Sequence, residues 1–323
     1  MLQGSALIRA TRPYGSEQRG RSWWCFWSTL TLLSALLLLT SLPLSWWARL
    51  AAGFLAGLVI CRMFILYHDY QHGAILQRSP VVHGVMYFYG LLTLNPASTW
   101  NASHNHHHRH NAKIRGASIG SFPVMTVEAW AGAGRRERLI YTIHRHPLTL
   151  ALAWPAVFLW GMTLQSFLRK PRQHPDCLLA ALLHVTLWVV LGVWAPGMLL
   201  FTFILPFGLA SAMGAYLFYA QHNFPEVDLR DQSEWDYVYA ALNSSSFMDI
   251  GPLMHWFTGN IGYHHIHHLN SRIPFYRLPE AMVALEELQS PRRTSLSPAA
   301  IFACLRLKLW DQAQGRMVGF NGT

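Results

Sequence analysis

Long apolar runs alternate with polar, histidine-bearing stretches along the whole chain. An α-helix needs roughly 20 apolar residues to cross the hydrocarbon layer of a bilayer, and residues 23–43 and 51–67 each approach that length. Residues 177–194 and 198–220 do the same, separated by the turn-forming Ala195-Pro196-Gly197. The pattern therefore predicts two helical hairpins. Two further apolar stretches are harder to place: residues 81–94 are short and contain His83, whereas residues 147–168 are long enough to cross.

Charge orients these spans. Arg9, Arg12, Arg19 and Arg21 precede the first run, the loop inside the first hairpin carries only Arg49, and the turn of the second carries no charge. An excess of arginine marks the cytoplasmic side, which puts the amino terminus inside. Two hairpins return the chain to the same face each time, so residues 68–146 and 221–323 would share it. A crossing at 81–94 or at 147–168 would separate the histidine groups across the bilayer. Both stretches are therefore expected to be interfacial or re-entrant, with Arg169, Lys170 and Arg172 held at the surface after the second. More than twenty residues precede the first run and no small-residue cleavage site follows it, so it reads as a retained anchor.

The expected fold is an all-α integral membrane domain: two transmembrane helical hairpins under a cytoplasmic helical cap that carries the histidines. Residues 1–22 would be a cytoplasmic segment, 23–285 the membrane and catalytic core, and 286–323 a cytoplasmic tail of a multi-pass protein in a bacterial inner membrane.

Composition agrees, with 52% apolar and only 12% charged residues. The formal net charge of +10 is carried by arginines that flank hydrophobic runs, which favours a membrane surface or an acidic protein partner over nucleic acid. Cys25, Cys61, Cys177 and Cys304 are widely spaced and form no C-x-x-C pair. They are expected to be buried thiols rather than a disulfide frame or a zinc knuckle.

Histidine changes the picture most, with 18 copies. Three groups, His68-Asp-Tyr-Gln-His72, His104-Asn-His-His107-His108 and His264-His-Ile-His267-His268, each place imidazoles at i and i+4, and the last two add i+3. On a helix these positions share a face. His106 lies about 200° around from His104, and His265 about 100° from His264, so both should point away. His222 directly follows the fourth run and joins the set. The candidate metal ligands are His68, His72, His104, His107, His108, His222, His264, His267 and His268. A surface polyhistidine stretch would be the plain alternative for residues 104–110, and His110 stands between the two readings. Isolated His83, His144, His146, His174, His184 and His255 are expected to be hydrogen-bonded or interfacial side chains.

One tetrahedral ion is closed by four ligands, so nine imidazoles suit two metals with room left for oxygen. Imidazole accepts iron, copper, nickel or zinc alike, and oxidation of a membrane substrate favours iron. Asp69 and Asp249 are candidates to orient imidazoles through their second ring nitrogen, or to form exposed salt bridges.

At these residues the chain resembles the membrane fatty acid desaturase family, whose boxes follow H-x(3,4)-H, H-x(2,3)-H-H and H/Q-x(2,3)-H-H. Here they read HDYQH, HNHHH and HHIHH. The resemblance runs from about residue 50 to 285, through Trp100, FYAQHNFP around His222, and GNIGYHHIHHLNSRIPFYRLPEA from Gly259 to Ala281. That last segment is similar to the acyl-lipid omega-6, or Δ12, branch. The resemblance implies a non-haem centre of two iron ions, O2 as co-substrate, a membrane lipid or acyl-thioester substrate, and removal of two hydrogens from neighbouring methylenes. The chain contains no HPGG haem motif, so the implied electron donor is external, such as ferredoxin or cytochrome b5, drawn to a basic cytoplasmic face. The first box departs from the family in having Tyr70 and Gln71 where Cys-Gly is common. Related boxes occur in lipid hydroxylases and in carotenoid ketolases and hydroxylases, which are the alternative activities. A non-redox membrane metal-binding or transport protein ranks last, because His184 alone lies well inside an expected span.

Overall fold

The computed structural model describes residues 2–114 and 120–322. Among the described residues, four helices are long and apolar enough to cross a membrane: α2 (Arg19–Ser41), α3 (Trp46–Gln71), Pro175–Trp194 and the composite Pro196–His222. α3 is the central one. It packs along α2 on one side and along the Leu205–His222 helix on another. Gly53 and Gly57, one turn apart, permit the second contact. A Cβ at Gly53 would stand 2.8 Å from Leu205 Cδ2, and one at Gly57 2.8 Å from Leu209 Cδ2. Small residues at this spacing let helix backbones approach closely in lipid. The outer helices instead present Trp24, Leu38, Leu182, Val185 and Val193 outward, as surfaces facing acyl chains require.

Two of the helices outrun the apolar stretches from which they are expected, and the extra turns carry ligand candidates. α3 continues past Tyr67 through His68 to Gln71, with His72 as its C-cap. Gly73 then takes φ +71° and ends the helix, the left-handed stop for which glycine is suited. The Leu205–His222 helix ends on His222 itself. Neither extension enters open solvent, because other polypeptide covers both, and a helix inside protein needs no apolar signal to continue.

α1 (Gly4–Thr11) precedes α2, and α4 (Pro80–Leu92) and α5 (Ala97–His110) follow α3. Residues 147–169 are helical almost throughout, as Pro147–Ala151, a π-helical Trp154–Leu164 and Gln165–Arg169. The first turn packs Leu150 against Tyr219. Trp154 meets His184, Phe203 and Phe207. Near the end, Thr163 Oγ1 donates to the Leu94 carbonyl at 3.4 Å.

The fold is mostly helical, and the expectation of helices alone is corrected at two small sheets. Phe247–Asp249 pairs in parallel with Arg293–Ser295, and Leu309–Asp311 pairs with both Met125–Thr126 and Arg316–Val318. Both sheets form where residues 286–323, read from the sequence as a tail, fold back on the polar segments and bury Cys304, Trp310, Met317 and Val318. The amino-terminal segment is also held: Leu7 is buried, Asn270 Nδ2 donates to Thr11 Oγ1 at 2.9 Å, and the Tyr276 hydroxyl lies 2.8 Å from Ser22 Oγ. All four cysteines are free and buried.

Candidate metal centre

Three helix segments and one helix end bring the imidazoles together. α5 is anchored at its start by Asp176, whose carboxylate accepts from the Ser98 amide at 2.9 Å and the Ser98 hydroxyl at 2.5 Å. An acceptor there satisfies free N–H groups of the first turn and favours the helix electrostatically. The short His264–Leu269 helix is buried along its length. It is brought over α3 by Gly259, at φ +50°, where a Cβ would stand 2.8 Å from Ile65 Cγ2. Only glycine combines that backbone conformation with so close an approach. Ile65 precedes His68 by one turn. Gln221 Nε2 donates to the Ile261 carbonyl at 2.9 Å, which ties His222 to the same segment.

All nine candidate histidines meet in two groups. His68, His72, His104, His108 and His267 form one, and His107, His222, His264 and His268 the other, with prospective ligand atoms within 4.8 Å of one another in each. In the first, His104 Nε2 lies 3.1 Å from His68 Nε2 and 3.0 Å from His108 Nε2, and His108 Nε2 lies 3.0 Å from His267 Nε2. In the second, His222 Nε2 lies 3.1 Å from His107 Nε2 and 2.8 Å from His264 Nε2, and His264 Nε2 lies 3.1 Å from His268 Nε2.

The expectation of one converging face within each histidine cluster needs correction. The i and i+4 partners do converge, but His107 and His267 point to the opposite group from His104 and His264. Adjacent helical residues diverge by about 100°, so each doublet, His107-His108 and His267-His268, divides between the two groups and sets them side by side.

The donor chemistry of these rings fits metal ions. His222 Nδ1 lies 3.1 Å from the Ser244 carbonyl, which can only accept, so Nδ1 carries the proton and Nε2 presents a lone pair. His68 Nδ1 lies 3.0 Å from Asp69 Oδ1, and an ionised Asp69 gives that ring the same tautomer. The other Asp69 oxygen accepts from the Phe275 amide at 2.7 Å. So many Nε2 atoms crowded at about 3 Å from one another are more than ring N–H donors alone can satisfy, whereas a cation in each group satisfies the lone pairs together. Burial, reinforced by neighbouring rings, pushes His72, His104, His107, His108, His264, His267 and His268 well below the usual histidine range. They are neutral near pH 7, the form that binds metal.

Other sequence candidates fall elsewhere. His265 is buried on the far side of its helix, with Nε2 3.2 Å from the Leu288 carbonyl. His106 stacks on His110 with ring centroids 4.0 Å apart. His83 faces the Tyr70 hydroxyl at 3.1 Å, and His184 the Leu92 carbonyl at 3.0 Å. Asp249 does not reach the centre and lies 3.7 Å from Arg293 in an exposed ion pair. Ser121, which no motif singles out, lies with its Oγ 2.6 Å from His107 Nδ1. Trp100 stacks on His104 at 4.3 Å. A cavity of about 270 Å³ touches the four-histidine group at His222, with Phe122, Val124, Phe218, Tyr219 and Leu229 among its walls.

The profile of the fatty acid desaturase family matches residues 44–298 of the chain. A fatty acid desaturase of Bacillus subtilis (strain 168) is 30% identical over 288 residues, which cover 87% of this chain and 80% of that one. The sn-1 oleoyl-lipid 12-desaturase of Synechocystis sp. is 25% identical over 77% of this chain and 70% of its own. The Delta(12)-fatty-acid desaturase of Vernicia fordii is 24% identical over 76% and 68%.

Proposed function

We propose, from the premise that the chain belongs to the fatty acid desaturase family, that it introduces a double bond into a membrane-lipid acyl chain at two irons held by nine histidines. His68, His72, His104, His108 and His267 would hold one iron, and His107, His222, His264 and His268 the other. The observation that carries this assignment is the convergence of neutral, mutually facing Nε2 atoms. When bound, iron supplies the oxidising power that O2 needs to break unactivated C–H bonds. In the balance, one O2 takes two hydrogens from adjacent methylenes together with two protons and two external electrons, and leaves as two waters.

The protein's own residues supply orientation and exclusion of water. Asp69, Ser121 and the Ser244 carbonyl fix the rings of His68, His107 and His222. The apolar walls beside His222 offer a place for an acyl chain next to the four-histidine group. The name of the Synechocystis relative, an sn-1 oleoyl-lipid 12-desaturase, favours a lipid-linked acyl substrate.

The arrangement in the membrane is two hairpins with the centre on the cytoplasmic face. It is supported by the amino-terminal arginines and by residues 147–169, whose first turn packs near His222 and whose last turns meet the segment before α5. An acidic ferredoxin or cytochrome b5 would approach the exposed Arg9, Arg12, Arg19, Arg21 and Arg272. Lipid profiling of a desaturase-deficient host with and without the chain tests the activity. New unsaturated acyl chains are expected; a new hydroxyl or an altered carotenoid without unsaturation contradicts the proposal.

A further inference from the structure

Arg145 is only 1% exposed, and among the described residues no carboxylate pairs with it. An unpaired buried cation is costly unless its donors are satisfied; here the two terminal nitrogens are spent on joining separate parts of the chain, while Nε has no partner among the described residues. Nη1 donates to the Pro123 carbonyl at 2.8 Å. Nη2 donates to Asn223 Oδ1 at 2.5 Å, to the Leu307 carbonyl at 3.1 Å and to the Tyr219 hydroxyl at 3.2 Å. Asn223 Nδ2 in turn donates to the Cys304 carbonyl at 2.7 Å, and Lys308 Nζ donates to the carbonyl of Arg145 itself at 2.6 Å.

These partners surround one group of histidines. Tyr219 and Asn223 lie three residues before and one after His222. Pro123 lies two residues beyond Ser121, whose hydroxyl meets His107 Nδ1. One planar guanidinium thus holds the segments behind two of the four ligands in the second group, and no bond from it leads to His68, His72, His104, His108 or His267.

We propose that Arg145 is a positioning residue for the four-histidine metal site, acting through Tyr219 and Asn223 on His222 and through Pro123 and Ser121 on His107. This rests on the two-iron reading and adds that the two sites are braced independently. Lysine does not reproduce the fork, because its three donors sit on one nitrogen and lack the fixed, planar separation of Nη1 and Nη2.

The test uses the full chain in detergent, loaded with ferrous iron without oxygen, and measures iron retained per chain after a fixed challenge with a chelator. Thermal unfolding is followed in parallel. Wild type is expected to keep two irons and Arg145→Lys close to one. Adding His104→Ala to Arg145→Lys should remove the remaining iron, which places it in the five-histidine group. Retention of both irons by Arg145→Lys, or loss of both together, overturns the proposal. If Arg145→Lys does not fold, Tyr219→Phe, which removes a hydroxyl that accepts from Arg145 Nη2, is read the same way: one iron kept supports the brace, and two or none overturns it. A single metal in wild type overturns the two-iron reading and the brace with it.

Discussion

The two histidine groups are built from the same ring and differ in what stands behind it. The five-histidine group draws His68 and His72 from the end of α3, and its backing includes a buried carboxylate, Asp69, against His68 Nδ1. The four-histidine group is backed by neutral groups, the Ser121 hydroxyl and the Ser244 carbonyl. It also has one fewer candidate ligand and a cavity at its edge. A carboxylate behind an imidazole raises its basicity and locks its orientation. On the proposed two-iron reading, the comparison predicts a tightly held, crowded metal in the first group and a more open one, beside the cavity at His222, in the second.

The largest effects should follow removal of a ligand. His108→Ala and His264→Ala are each expected to reduce desaturation beyond the roughly 10–100-fold cost typical of outer-shell changes. Each should also lower iron first in its own group. Iron analysis of the two variants with an independent spectroscopic assignment of the surviving site checks this, and loss of the same iron in both would break the division into groups.

Next in size are the backing residues. Asp69→Asn should weaken metal binding by about 10–100-fold, and Ser121→Ala by less, since a neutral hydroxyl polarises the ring less than a carboxylate. Chelator competition on both variants compares them. Equal losses would remove the asymmetry.

Acid should affect both groups. The rings of His104, His107, His108, His264, His267 and His268 are held below the ordinary value of 6.5 by burial and by one another. In the metal-free protein the unfolded chain then takes up protons before the folded one does. The stability contribution is complete above 6.5 and is lost as pH falls toward the depressed folded values. Unfolding midpoints measured from pH 7.5 to 5 should decline; a flat profile contradicts this.

The smallest effects belong to the histidines outside both groups. His265→Ala should keep both irons while losing about 1–3 kcal/mol for the orphaned Leu288 carbonyl and the vacated space. His106→Ala, at a half-buried position, should lie within about 0.5 kcal/mol of wild type. Denaturant titration with iron analysis separates the two.

These contrasts show where sequence reasoning reaches and where it stops. Long apolar runs announce four long helices because their whole length must meet either lipid or, for α3, the apolar faces of neighbouring helices. Histidines at i and i+4 announce a metal centre because helical periodicity is local. The division of His107 from His108, and of His267 from His268, depends on how three segments meet in space, although the 100° step between neighbours was available as a clue. Ser121 and Arg145 carry no motif. Their roles arise from contacts with residues distant in the chain, and so do the small sheets that fold residues 286–323 back onto the core. Asp69 and Asp249 look alike in sequence, yet only the first lies on a helix that also carries a ligand.

The most direct test of the two-group centre is the metal content of full-length wild-type protein purified after iron-replete expression, measured by elemental analysis against amino-acid quantification. Two separate sets of imidazoles, five rings in one and four in the other, call for close to two irons per chain. One zinc or one iron per chain, with no second metal taken up on reconstitution, would contradict the account.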